Sequence, residues 1–261
     1  LQLALGVYQA GMKVCVVNPL VIRRYAQMRL KRTKTDKVDA GLIAQYGAQY
    51  QANLSLWEPP MAVYQQLQQL SSGINLLKKQ LLMTQNQIEA FGQSPIQDPV
   101  LIQQLNQMVQ TFKERIKRLE KQMERLVKSH FKQTYQNLLS IPGIGPKTAT
   151  GLITITHNFT RFKSAKQLVA YVGLCPRIFR SGSSVNGKER IVKMGQALIR
   201  RNLYMGAFSA MKYNPYCLEM SQNLKAKGKH YRVIRVAVAH KLLRQAFGVG
   251  TSGKVFNPNF T

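Results

Sequence analysis

Three groups of residues in this chain could do chemistry. Asp36 and Asp39 stand three apart in Thr35-Asp36-Lys37-Val38-Asp39-Ala40, where a helix would put both carboxylates on one face with Cβ atoms about 5–6 Å apart. Two hard oxygen ligands so placed could hold one divalent cation or part of a metal pair. The same spacing also suits capping, with Thr35 or Asp36 as the N-cap and Asp39 in a first turn where the helix dipole favours negative charge. The second group is Ser181-Gly182-Ser183-Ser184. A hydroxyl that attacks a phosphodiester needs a base or metal to activate it and cations to hold the non-bridging oxygens. Arg177, Arg180, Lys188, Arg190, Lys193 and Arg200 could be those cations, whereas no nearby His–Asp pair offers a base. Taken alone, the run also reads as a flexible Gly/Ser loop. The third group is the turn within Leu139–Gly151. There Pro142, Gly143 and Gly145 break one helix, and Pro146, with Lys147 beside it, starts the next. That is the pattern of a helix-hairpin-helix, in which a glycine turn leading into a helix N-terminus offers unpaired N–H groups to a phosphate. The alternative is a tight hairpin that only packs.

The elements that must position these residues follow from periodicity. Leu1–Ala10 reads as a short helix ended by Gly11, and the apolar, β-branched run Met12–Val17 reads as a buried strand, an α-to-β step. Val21–Lys34 is strongly basic and leads into the helix that opens at Thr35 or Asp36. After Trp57-Glu58-Pro59-Pro60 the pattern changes. Val63, Leu67, Leu70, Ile74, Leu77 and Leu81 follow alternating four- and three-residue steps, and Ile102, Leu105, Val109, Phe112, Ile116, Leu119 and Met123 repeat them beyond a Pro-rich turn. Two such stretches predict an antiparallel coiled-coil hairpin suited to oligomerisation. Its acids Glu114, Glu120 and Glu124 read as a solvated flank. Further on, Ser164 can cap a helix carrying Leu168, Val169 and Val172, and Asn186-Gly187 is a turn signal. The last helical part bears Arg200, Arg201, Leu203 and Tyr204.

Charge narrows the partner. The chain has 261 residues with 38 Lys+Arg against 10 Asp+Glu, a net charge of +28. Such an excess repels itself and suits a polyanion, so nucleic acid is the default partner. No segment is long and apolar enough to cross a membrane. Cys15, Cys175 and Cys217 lie far apart and form no ligand spacing with the histidines, so neither zinc nor a disulfide is expected. A reducing compartment follows, the cytoplasm and its nucleoid. The chain begins with Leu1 rather than Met, which suits a fragment or processed product.

Several motifs in order now resemble one family. They are Val17-Asn18-Pro19, Lys34-Thr35-Asp36-Lys37-Val38-Asp39-Ala40, Ile141-Pro142-Gly143-Ile144-Gly145-Pro146-Lys147, Gly173-Leu174 with Pro176-Arg177, Ser181-Gly182-Ser183-Ser184 with Gly187, and Lys193-Met194-Gly195 with Arg200-Arg201 and Leu203-Tyr204. The chain resembles the DEDD-type insertion-sequence transposases, which include Piv-like site-specific invertases and bridge-RNA-guided recombinases. The resemblance implies an α/β plus all-α architecture. Residues 1–56 would be the C-terminal part of a RuvC-like, RNase H-type domain, 57–130 the coiled-coil hairpin, and 131–261 a mostly helical transposase domain with the helix-hairpin-helix and serine loop.

The resemblance also implies roles. Asp36 and Asp39 match the last two acids of the DEDD metal site, which in the complete protein would hold magnesium as a two-metal pair. Ser181 matches the serine that becomes joined to DNA, leaving a free 3′-hydroxyl. Gly143, Gly145, Lys147, Arg177, Arg180, Lys188, Arg190, Lys193, Arg200 and Arg201 are the expected nucleic-acid contacts. A structured guide RNA would choose the DNA sites, and a dimer or tetramer would bring acids and serine together from different protomers. In the family the first two acids precede the segment matching Leu1–Gly11, so this chain is expected to carry half a metal site and to be weakly active or inactive. The alternative is an inactive transposase fragment that only binds DNA or RNA.

Overall fold

Short polar side chains ahead of apolar runs start many of the helices. The computed structural model describes residues 2–30, 35–177, 180–181, 185–186, 190–192 and 194–258. They belong to two units, Leu1–Met61 and Ala62–Thr261.

In the first unit, α1 (Gln2–Gln9) stops ahead of Gly11, whose φ of +77° turns the chain. Asn18 opens α2 (Pro19–Met28): its side chain accepts a hydrogen bond from the Leu20 amide at 2.9 Å, and Pro19 pre-sets the first helical φ. Thr35 opens α3 (Asp36–Gln49), its hydroxyl accepting from the Val38 amide at 3.3 Å. A short 3-10 turn follows at Gln51–Asn53. The two longer helices meet at Tyr25, which is buried. Its ring stands edge-on to Tyr46 and Tyr50, and its hydroxyl donates to Gln49 at 2.8 Å.

The buried strand expected at Met12–Val17 is not there. The segment lies outside any helix or strand, Met12 is 55% and Val16 56% exposed, and the described residues of this unit form no sheet. A strand exists only where a neighbour takes its alternate N–H and C=O groups. Among the described residues two isolated backbone bonds hold the run, from the Met12 amide to the Val7 carbonyl at 3.2 Å and from the Trp57 amide to the Val14 carbonyl at 2.7 Å, and neither makes a ladder. β-Branched composition favours extended backbone but cannot supply a partner. The described residues are mostly helical, and the α/β part of the expectation is not met in this unit.

The second unit begins with α4 (Ala62–Gly92) and α5 (Pro99–His130). Asp98 caps α5, accepting from the amides of Val100 at 2.8 Å and Leu101 at 3.1 Å. The two helices run antiparallel, since Tyr64 stacks on Phe131 just past one end while Lys78 reaches Glu120 farther along. Val109, Ile116 and Met123, seven residues apart, are buried along the seam.

The core continues without a break into α6 (Lys132–Leu139), α7 (Pro146–Thr156), α8 (Ala165–Val172), α9 (Ala197–Tyr213), α10 (Pro215–Ala226) and α11 (Tyr231–Ser252). Helix α11 packs against α6, α8, α9 and α10, which is why Val238, Ala239, Leu242, Leu243 and Ala246 are all fully buried. Each large aliphatic side chain buried there contributes about 1.5–3 kcal/mol. Tyr64 also stacks on His157, with ring centroids 4.6 Å apart. Burial, with the Arg161 charge nearby, holds that imidazole below its ordinary pKa.

Among the described residues between α8 and α9 are four two-residue strands. β1 (Pro176–Arg177) pairs antiparallel with β4 (Arg190–Ile191), and β2 (Arg180–Ser181) with β3 (Val185–Asn186). Asn186 therefore sits in a ladder opposite Arg180, while Gly187 and Gly182–Ser184 lie outside the described residues.

Candidate nucleic-acid interface and serine hairpin

The turn between α6 and α7 owes its shape to Gly143, whose φ is +105°. A Cβ placed there would lie 2.7 Å from the Ala210 Cβ and 2.9 Å from the Gly206 carbonyl on α9, and a Cβ on Gly206 would run into the Gly143 carbonyl. The turn and α9 thus touch backbone to backbone. Gly145 differs: it is the N-cap of α7 with φ −93°, and a Cβ on it would meet nothing within 4 Å. No side chain caps α7, so its first turn opens into a groove lined by Gly145, Lys147, Thr148, Met205 and Ser209. Pro146 has no N–H and the Thr148 amide donates to the Gly145 carbonyl at 3.0 Å, so the Lys147 amide and the helix dipole are what favour an oxyanion there.

Lys147 is not free at the groove. Its ammonium pairs with Glu120 Oε2 at 2.9 Å, while Lys78 holds Oε1 at 2.6 Å. Burial alone would raise the Glu120 carboxyl, but the two lysine hydrogen bonds and charges outweigh it and hold the pKa below the ordinary value. Glu124 likewise serves structure, paired with Lys128 and accepting from the Tyr135 hydroxyl. These two acids are therefore not a purely solvated flank. Lys147 remains 72% exposed at its side chain, so the pair is worth about 0.5–1 kcal/mol. Replacing Glu120 with Gln is expected to free Lys147 and tighten binding of a short DNA duplex roughly two- to fivefold at low salt, with a steeper salt dependence. Unchanged affinity in a titration across salt concentrations would remove Lys147 from the DNA contact.

The serine hairpin is closed at its base by two of the motif glycines. Gly173, with φ +81°, lies so close to the carbonyls of Val192 and Met194 that a Cβ would collide with them, and Gly195 lies equally close to the Tyr171 carbonyl. The Val192 amide adds a hydrogen bond to the Cys175 carbonyl at 3.0 Å. Outward from this clasp the backbone ladders set Arg177 opposite Arg190 and Ser181 opposite Val185. Lys188 and Lys193 lie outside the described residues. Arg200 donates to the Val172 carbonyl at 2.7 Å and so ties α9 to the end of α8. Arg201 is exposed and lines the cleft that also contains Lys147 and Lys78.

Matches to known proteins fall on these same segments. A family model described as transposase IS116/IS110/IS902 family matches residues 135–222, and a second transposase model, of the DEDD IS110 type, matches residues 2–91. A pilin gene-inverting protein of Moraxella lacunata is 32% identical over 250 residues, which cover 94% of this chain and 74% of the relative. The chain belongs to the IS110/IS116 family of transposases. A transposase for insertion element IS1328 of Yersinia enterocolitica is 27% identical over 284 residues, covering 98% of this chain and 82% of that protein. An uncharacterised 43.6 kDa protein of insertion element IS110 from Streptomyces coelicolor is 28% identical over 138 residues, covering 53% and 33%.

In this family member the first match contains the α6–α7 turn and the serine hairpin, and the second contains Asp36 and Asp39. On α3 the structure puts Asp36 at the first helical position, exposed, and Asp39 one turn on, half-buried. Thr35 takes the capping role, which leaves Asp36 free of it. Carboxylate oxygens suit a hard divalent cation in kind. In number they supply part of a coordination sphere, since among the described residues no group of three or more His, Cys, Asp and Glu forms. Two contributors lay beyond the reach of sequence reasoning: Glu120, whose partners are 42 and 27 residues away, and Gly206, which carries no local signal of its close approach to Gly143.

Proposed function

We propose that this transposase is a DNA recombinase that cleaves and rejoins DNA through a covalent bond to Ser181. The Ser181 hydroxyl oxygen attacks a backbone phosphorus, the bond from phosphorus to the 3′-oxygen breaks, and the serine proton is passed on so that a 3′-hydroxyl is left. Attack by a 3′-hydroxyl on the phosphoserine reverses the step and joins strands with no net loss of phosphodiester bonds. Magnesium held by Asp36 and Asp39 would supply Lewis acidity at the phosphate and favour the serine alkoxide. The cations of the hairpin would neutralise the non-bridging oxygens.

What supports the reading is the placement of Ser181 in a paired strand at a hairpin clasped between α8 and α9, inside a segment that matches a transposase family. The α6–α7 turn would hold the DNA backbone beside it. A structured RNA would select the sites, and a second copy would cover the exposed Leu82, Met83, Val100 and Leu101 of the α4–α5 hairpin. The other reading is nucleic-acid binding without cleavage. It is favoured by the metal donor set on α3, where the two carboxylates are Asp36 and Asp39.

One experiment separates the two. The protein, incubated with element DNA and RNA and with magnesium, is expected to form a protein–DNA adduct that survives denaturation. Asp36→Asn should lower its yield about 10²-fold or more, and chelation should abolish it. Binding without any adduct under all conditions would leave the binding-only reading.

A further inference from the structure

The geometry points to a base-stacking platform on the α9–α11 face, built from Tyr204, Phe208, Tyr231 and Arg235, that takes the unpaired bases of a DNA single strand. The Arg235 guanidinium carbon lies 3.8 Å from the Phe208 ring centroid, 4.9 Å from that of Tyr231 and 5.7 Å from that of Tyr204. Its Nη1 donates to the Tyr204 hydroxyl at 3.2 Å. Tyr204 and Phe208 stand edge-on, 6.3 Å apart. Spacing of four along each helix, 204 to 208 on α9 and 231 to 235 on α11, brings the four side chains to one place.

Two features of this cluster exceed what packing requires. Phe208 is 43% and Tyr231 49% exposed, although the buried residues next to them, Leu203, Ala207 and Ile234, already join the helices. The guanidinium has no carboxylate partner among the described residues, and Glu219 is the only acid in residues 191–261. An uncompensated flat cation among half-exposed rings matches the π-face of a nucleobase and the charge of its phosphate. A duplex hides those faces in its own stack, so the ligand is a single strand. An acidic peptide would answer the charge and leave the rings unused.

Helix α9 also carries Met205 and Ser209 on the wall of the α6–α7 groove. A duplex held by its backbone there would deliver a separated strand to the platform within about one helical turn of α9. The inference rests on the proposed DNA contact at that groove, and the test keeps the two apart.

Binding of an oligothymidine and of a short duplex is measured for the full chain and for Phe208→Leu, Tyr231→Leu and the double variant. The double variant is expected to lose about tenfold or more in oligothymidine affinity and less than twofold in duplex affinity. Gly145→Val should show the opposite bias. Phe208→Trp should keep the affinity, and its fluorescence should be quenched by the oligomer above the background of Trp57. Equal losses for duplex and single strand, unchanged single-strand affinity, or dependence on the rings for oligouridine alone would each overturn the platform.

Discussion

Replacing Ser181 with alanine is expected to abolish the protein–DNA adduct and lower recombination by about 10³-fold or more, the scale on which loss of a nucleophile is felt. The change should cost the fold little. Ser181 is held by a backbone ladder to Val185, and alanine keeps every backbone donor and acceptor of that ladder. The adjacent Ser183 and Ser184 provide the contrast. If the loop were a flexible source of hydroxyls, any of the three could attack, and a single substitution would lower the adduct by a fraction. If position matters, Ser183→Ala and Ser184→Ala keep the adduct within a few-fold of the parent. Mass spectrometry of the adduct peptide reads the outcome directly. An adduct that persists in Ser181→Ala would move the nucleophile elsewhere.

Local signals in the sequence translated well into structure where a residue acts on its own neighbours. Thr35 and Ser164 cap α3 and α8, as hydroxyls ahead of apolar runs should. Pro146 starts α7, and Gly173 ends α8 in the left-handed region. The seven-residue recurrence of Val109, Ile116 and Met123 gave a buried seam. The failures share one physical cause, dependence on a distant partner. Met12–Val17 has a strand's composition but finds no ladder among the described residues. The pairing of Lys147 with Glu120 on α5 has the same cause, a partner 27 residues away that local spacing does not announce. Charge and spacing identify which groups can interact; packing decides which of them do.

The two turn glycines, alike in sequence, are expected to fail in different ways. Gly143→Val should destabilise the second unit by about 3 kcal/mol or more, and Gly206→Val by at least as much, because each inserts atoms into a backbone-to-backbone contact that rigid helices cannot widen. At Gly143 the left-handed φ adds strain for a β-branched residue. Gly145→Val should leave the melting temperature within a few degrees of the parent, since its φ is ordinary and its Cβ enters open groove. The cost there falls on the ligand: a phosphate reaching the Lys147 amide in the first turn of α7 needs close backbone approach. A drop of about tenfold in duplex affinity is expected, corresponding to roughly 1.4 kcal/mol. Thermal melts and duplex titrations on the same three proteins separate fold from contact. Should Gly145→Val bind duplex like the parent while remaining folded, the α6–α7 turn is a packing device against α9, and the DNA backbone must be held elsewhere on the basic surface.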